Sequence, residues 1–247
     1  MKNKLTDEII SLINWQEFFS FWKFKGTVSE IRASTSSAAE AKKLFDDAND
    51  LLKKITFCGE AKIEEFSASV KNDDIVIDNK YIVRCLRQQM KKPAGEPYYC
   101  LADFIDGENG KIGVFAITVG ECFGETDDLY SSLLYQSLSQ RLVEAFSQYY
   151  REKYFAGKNG IAAAIGYPSL PDLRVMKIAD EILDLKSIGI TLNENYMMSP
   201  LSSVCGFYII HPKAKYFSVG KISEEQYADY ATRGNESVEE VKKWVQI

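Results

Sequence analysis

The chain has 247 residues, 46% of them hydrophobic, which is enough to bury a large core. Its net charge of −5 comes from acidic and basic residues mixed along the length, so no basic stripe is available for nucleic acid. No apolar run reaches membrane-spanning length, and the N-terminal MKNKLTDEIISLINW is interrupted by Asp7, Glu8 and Asn14 where a signal peptide needs a continuous apolar core, so a cytoplasmic protein is expected.

Five cysteines, Cys58, Cys85, Cys100, Cys122 and Cys205, lie scattered without metal-ligand or redox-motif spacing, and an odd count is expected of reduced thiols. Glu30 to Glu40 is a short Ser/Ala-rich dip that runs straight into a helical pattern. It reads as a loop and not as a tether, so one domain over residues 1–247 is expected. From Ala38 to Ile55 the apolar residues Ala41, Leu44, Phe45, Ala48, Leu51, Leu52 and Ile55 recur at helical spacing, which predicts an amphipathic helix. Ala61 to Val70 and Asp73 to Asp78 then read as short strands.

Tyr81 to Met90 has helix-compatible spacing, and Lys91 to Pro97 packs two prolines and a glycine into a turn. Tyr98 to Phe104 and Lys111 to Val119 are β-rich runs flanking IDGENG, whose Asp-Gly and Asn-Gly pairs suggest a hairpin. A long helix is expected over Thr126 to Lys153 from the spacing of Leu129, Leu133, Leu134, Leu138, Leu142, Ala145, Phe146 and Tyr149, with Arg141, Glu144 and Gln148 available for its other faces. A further helix spans Pro171 to Ile188, with Ser169 or Asp172 as its cap and Gly189 as its left-handed stop.

Cys205 to His211 and Tyr216 to Ile222 read as strands joined through Pro212, and the pairs Ser223/Gln226 and Ser237/Glu240 open two short closing helices. Strands and helices mix without regular alternation and no repeat is present, so the class is α+β with a largely antiparallel sheet.

The single histidine, His211, excludes a multi-histidine metal site, and its place between an apolar strand and Pro212 argues against a Ser/His/Asp triad; Gly107, Gly110 and Gly113 fit no phosphate-binding spacing. The informative stretch is Gly166-Tyr167-Pro168, followed by Ser169-Leu170-Pro171-Asp172. The residue before a proline is steered out of the helical region, so Tyr167 is held extended and can offer a ring face to a flat ligand, or simply form a rigid entry to the next helix.

GYPSLPD resembles the Gly-Tyr-Pro-x-x-Pro-Asp signature of the reactivation (activation) domain of cobalamin-dependent methionine synthase. Colinear segments carry the resemblance along essentially the whole chain. They are Trp15 with Phe18, Phe19 and Trp22, then Ala41 to Leu52, Leu86-Arg87-Gln88-Gln89, Tyr98 to Phe104 and Gly113 to Gly120. Arg141 to Phe146, Ser202 to Pro212, Ala214 to Val219 and Asp229 to Trp244 continue the series.

The resemblance implies a helmet- or C-shaped α+β domain, here as a stand-alone chain, with a shallow groove for S-adenosylmethionine. That ligand donates a methyl group to cob(II)alamin, a flavodoxin-like donor supplies the electron, and the cobalamin is held by a partner domain or subunit of methionine synthase. On the matching positions Glu144 and Tyr216 would bind the ligand, Tyr167 would face the corrin, and the backbone at Ala164 and Gly166 would border the site.

The chain departs from the family pattern at two places. Ala162 stands where the family has the arginine that holds the ligand's carboxylate, and Asn14 stands where it has an aspartate. Losing a charge-assisted contact of that kind costs on the order of 2–3 kcal/mol, roughly a hundredfold in affinity. Arg174, from the next helix, is the substitute considered from sequence, and Glu152 to Ile161 is short for the rim of the groove. The departures keep open an alternative: a non-catalytic module that docks on or escorts a corrinoid methyltransferase without binding S-adenosylmethionine.

Overall fold

The computed structural model describes residues 2–4, 6–33, 38–55, 57–107, 110–120, 122–124 and 126–245. Strand β1 (Lys2–Lys4) precedes helices α1 (Asp7–Ser11), α2 (Trp15–Phe21), α3 (Val28–Ala33) and α4 (Ala38–Lys54). Strands β2 (Phe57–Lys71), β3 (Asp74–Ile77), β4 (Tyr81–Arg84) and β5 (Gly110–Thr118) follow, then the long helix α5 (Leu129–Tyr154). Strand β6 (Gly160–Ala164), helix α6 (Val175–Leu183), the small hairpin of β7 (Thr191–Leu192) and β8 (Met198–Ser199), strand β9 (Ser203–Ile210) and helices α7 (Glu224–Gly234) and α8 (Val238–Trp244) complete the α+β fold. No helix among the described residues is long and apolar enough to cross a membrane.

The main sheet runs β4-β3-β2-β5-β9-β6, with β1 on β2, and every pairing is antiparallel. Because side chains alternate across a strand, β5 feeds two cores. Ile112, Val114 and Ala116 point to one side, where α6 and the C-terminal helices pack. Phe115 and Ile117 point to the other, onto Leu142, Ala145 and Phe146 of α5. A third cluster joins Phe18, Phe19, Ile31 and Leu44 to Leu134 and Leu138 at the start of α5.

Several expectations hold. The long helix is present as α5, starting at Leu129 behind an Asp128 cap, Ser223 Oγ accepts from Gln226 N–H, Ser237 Oγ accepts from Glu240 N–H, and Gly189 adopts a left-handed φ of 78°. His211 is a turn residue whose Nδ1 accepts from Lys213 N–H at 3.1 Å.

Others are corrected. Tyr81 to Met90 is not a helix: Asp78 and Asn79, both at positive φ, turn the chain so that Tyr81–Arg84 pairs with β3. Tyr98 to Phe104 is not a strand either. Asp103 accepts from Cys100 N–H at 2.8 Å and closes a 3₁₀ turn over Leu101–Phe104, so IDGENG joins that turn to β5; Glu108 and Asn109 lie outside the described residues. Tyr216 to Ile222 joins no strand among the described residues. Its alternation is nevertheless used, since Phe217 and Val219 are buried and Val219 N–H reaches Pro168 O at 2.9 Å.

The helix expected over Pro171 to Ile188 is shorter, beginning at Val175 and breaking at Asp184, which is left-handed at φ 49° and leads into a 3₁₀ turn over Leu185–Ile188. Neither Ser169 nor Asp172 takes the capping position, which Arg174 occupies without a side-chain cap. Of the expected Ser/Ala-rich loop, the first residues belong to α3 and the last to α4, and residues 34–37 lie outside the described ones. Cys85, Cys100 and Cys205 are free and buried, but Cys122 is disulfide-bonded, so the expectation of reduced thiols fails there.

Strand β6 was not foreseen, since Gly-Ile-Ala-Ala-Ala has little strand preference of its own. The backbone ladder to β9 makes it one. Gly206 permits the close approach: a Cβ there would sit 2.4 Å from Ala163 O and 2.7 Å from Ala164 Cα.

Candidate functional site

β6 is the edge strand beside β9, and its alternation buries Ala163 and Ile165 in the α6-side core while Ala162 takes the α5 side. Alanine methyls are too short to meet α5, so a groove of about 560 Å³ opens between strand and helix. That volume lies within the range of small-molecule sites. One wall is a polar stripe on α5: Gln140, Glu144, Ser147 and Arg151 recur at steps of four, three and four and so share one face. Ala162 and Ala164 form the opposite wall, and Tyr167 and Tyr216 stand at the groove, each about half exposed.

The GYP turn fixes Tyr167. Gly166, at φ +84°, donates its N–H to Leu170 O at 2.8 Å, and Leu170 N–H returns to Tyr167 O at 2.8 Å. A side chain at Gly166 would meet Leu173 Cδ2 at 2.8 Å as well as an unfavourable φ, so glycine is required on two counts. Pro168 then accepts from Val219 N–H, which ties the segment bearing Tyr216 to the segment bearing Tyr167.

Electrostatics tie the same residues together. Glu144 forms an ion pair with Arg141 at 3.0 Å, yet its carboxyl titrates above the ordinary glutamate value: desolvation outweighs Arg141, and Glu17 of α2 adds like charge. The Tyr167 phenol is raised as well, first by burial, then by the charge of Glu144 and by Tyr216. A carboxylate that pays to be ionised is a ready partner for a cationic ligand group.

Glu144, Ala162, Ala164, Tyr167 and Tyr216 therefore converge on one groove. Gly166 supports it through the turn. Asn14 is not among the residues that line it; its Oδ1 accepts Glu17 N–H at 3.1 Å and caps α2. The sequence's substitute cation is also misplaced. Arg174 is held by Asp172 and Glu236, and Asp172, itself buried, accepts the Tyr230 hydroxyl at 2.7 Å. Sequence reasoning missed Arg151, Ser147 and Leu201; the first two carried a signal, the polar face of α5 in register with Glu144.

A family profile described as the vitamin B12-dependent methionine synthase activation domain matches residues 5–157 and 151–235. The chain belongs to that family. It is also similar to a solved MetH reactivation domain bound to AdoHcy, with 31% sequence identity, a TM-score of 0.86, and coverage of 99% of this chain and 88% of that one. The activation-domain fold expected from the GYPSLPD resemblance is thus the fold observed.

Proposed function

We propose that this activation domain binds S-adenosylmethionine in the groove between α5 and β6 and supports reductive methylation of cob(II)alamin carried by a partner domain or subunit. The observation that carries the reading is the convergence of Glu144, Tyr167 and Tyr216 on one groove, in a chain 31% identical to a reactivation domain solved with AdoHcy. The partner is a cobalamin-binding methionine synthase region, and the electron comes from a flavodoxin-like donor.

In this reading Glu144 attracts the ligand's cationic part, ammonium or sulfonium, and is stabilised in its ionised form by doing so. Ala162 and Ala164 keep the wall opposite α5 low, so the ligand lies shallow and its methyl group stays accessible. Tyr167, stiffened by the GYP turn, presents its ring toward the incoming corrin. The chain holds and orients; the methyl group is transferred to the reduced cobalt, with S-adenosylhomocysteine released.

Ala162 favours a second reading, in which the domain docks on a corrinoid methyltransferase without using S-adenosylmethionine. Labelled-methyl transfer separates the two. The chain is mixed with a cob(II)alamin-loaded methionine synthase fragment, reduced flavodoxin and S-adenosylmethionine carrying a labelled methyl group. Label on cobalamin that depends on every component is the expected result. Docking without transfer would move the conclusion to the second reading, and a chain that does not dock would refute both.

A further inference from the structure

The groove does not end at Ala162. A second lobe of about 370 Å³, bordered by Phe155, Lys158, Asn159 and Gly160, continues along β6, and the two lobes share Arg151, Ala162 and Tyr216. A long side chain at position 162 would occupy this junction. The methyl group leaves it open.

Among the cations lining the two lobes, Arg141 is paired with Glu144 and Lys158 with Glu65 at 3.5 Å. Arg151 has no ion pair and no side-chain hydrogen bond among the described residues. It lies seven residues beyond Glu144, almost two helical turns, and therefore on the same face of α5. Glu144 and Arg151 thus carry opposite charges on long side chains that spring from backbone positions about 10 Å apart along the helix axis, at 1.5 Å per residue.

Beneath the junction is a further signal. Tyr208 pairs with Ala162 across the β6–β9 ladder, is fully buried, and stacks on Phe115 at 4.4 Å and Tyr154 at 4.7 Å. Its hydroxyl has no hydrogen-bond partner among the described residues. A buried hydroxyl without a partner is costly, and Arg151 is the cation whose charge it feels.

We infer that Arg151, reaching from α5 across the space left open by Ala162, is the residue that holds the carboxylate of the ligand's amino-acid moiety in this chain. The inference rests on the proposed S-adenosylmethionine site and adds its specificity for the carboxylate end. The anionic anchor has moved from strand to helix. Glu144 and Arg151 then address the two charges of one zwitterion from a single rigid element.

The test is calorimetry with S-adenosylmethionine and with its decarboxylated analogue, on the intact chain, Arg151→Gln, Ala162→Arg, and the double variant. Arg151→Gln is expected to weaken S-adenosylmethionine roughly ten- to hundredfold, the loss of one charge-assisted contact, and to leave the decarboxylated analogue within about threefold. Ala162→Arg in the Arg151→Gln background should restore most of the affinity. Because Arg151 lies in the last turn of α5, where a cation also suits the helix dipole, denaturation midpoints are measured alongside.

Unchanged S-adenosylmethionine affinity in Arg151→Gln would overturn the inference and leave the proposed function standing. Equal losses for both ligands would also overturn it, by showing that Arg151 shapes the groove without contacting the carboxylate. Binding that appears only in Ala162→Arg would do the same. If neither the unmodified chain nor Ala162→Arg binds S-adenosylmethionine, the proposed site fails and the inference with it.

Discussion

Tyr167→Ala separates a corrin-facing ring from a packing residue. Tyr167 is 50% exposed, so about half of the 150–250 Å² that an aromatic side chain can bury is covered by protein, roughly 100 Å². At about 25 cal/mol per Å² that area corresponds to about 2.5 kcal/mol for the whole side chain, and the retained Cβ and solvent access to the site bring the expected destabilisation to about 1–2 kcal/mol. A fully enclosed aromatic such as Tyr208 would instead cost about 3–5 kcal/mol on truncation. The exposed half is what a partner can cover, so docking onto a cob(II)alamin-loaded methionine synthase fragment should weaken by about 1–3 kcal/mol, the range of an aromatic anchor. Urea denaturation and titration calorimetry on the same variant give both quantities. A stability loss above about 3 kcal/mol with unchanged docking would show that the ring serves the fold and would remove it from the functional surface.

Glu144→Gln tests the acidic end of the groove through pH. The folded-state carboxyl of Glu144 titrates above the ordinary value, so its ionisation opposes stability as pH rises through that raised value, and the Gln variant should be equal or slightly higher in thermal midpoint at pH 7. Ligand binding runs the other way. S-adenosylmethionine affinity should fall as pH drops through the raised Glu144 value, and calorimetry from the ordinary glutamate range up to neutral pH should show that slope flattened in Glu144→Gln; an identical slope would place the titrating group elsewhere. Gly206→Val forces a Cβ against the backbone of Ala163 and Ala164, so β6 must move off β9. A loss of about 1–3 kcal/mol in urea denaturation is expected, together with loss of ligand binding, and a variant within about 0.5 kcal/mol of the parent would show that the strand pair can open without cost.

Under the proposed function, Glu144 sets ligand binding against stability. The carboxylate stands on a helix face where desolvation and Glu17 disfavour its charge, and Arg141 offsets that only in part. A fold optimised for stability alone would place a neutral residue there. The same face carries Arg151 without a carboxylate partner among the described residues, so α5 holds one charge that is only partly offset and another that it does not pair. Leu134, Leu138, Leu142, Ala145 and Phe146 on its other faces secure it to the sheet and to α2, which keeps that polar stripe fixed in orientation.

Local chemistry determined much of this protein from sequence. The spacing of Ala41, Leu44, Ala48 and Leu52 made α4, the apolar side of α5 made the long helix, Ser223 and Ser237 marked two helix starts, and the GYP stretch announced a stiff turn bearing Tyr167. These signals act within a few residues, so one chain segment contains them whole. The tertiary structure decided what depended on a distant partner. Three alanines became an edge strand because β9 offered a ladder and Gly206 gave it room, Tyr81 to Arg84 became a strand because β3 lay across a left-handed turn, and Tyr216 to Ile222 found core to cover but no strand to join among the described residues. Arg174 looked available from its position in the chain, yet Asp172 and Glu236, the latter 62 residues on, had already engaged it. Arg151 stood in register with Glu144 on the polar face of α5, but only the packing of α5 over Ala162 shows the groove it faces. A side chain's charge is written in the sequence, but whether that charge is spent on a neighbour or left for a ligand is fixed only when remote segments pack against it.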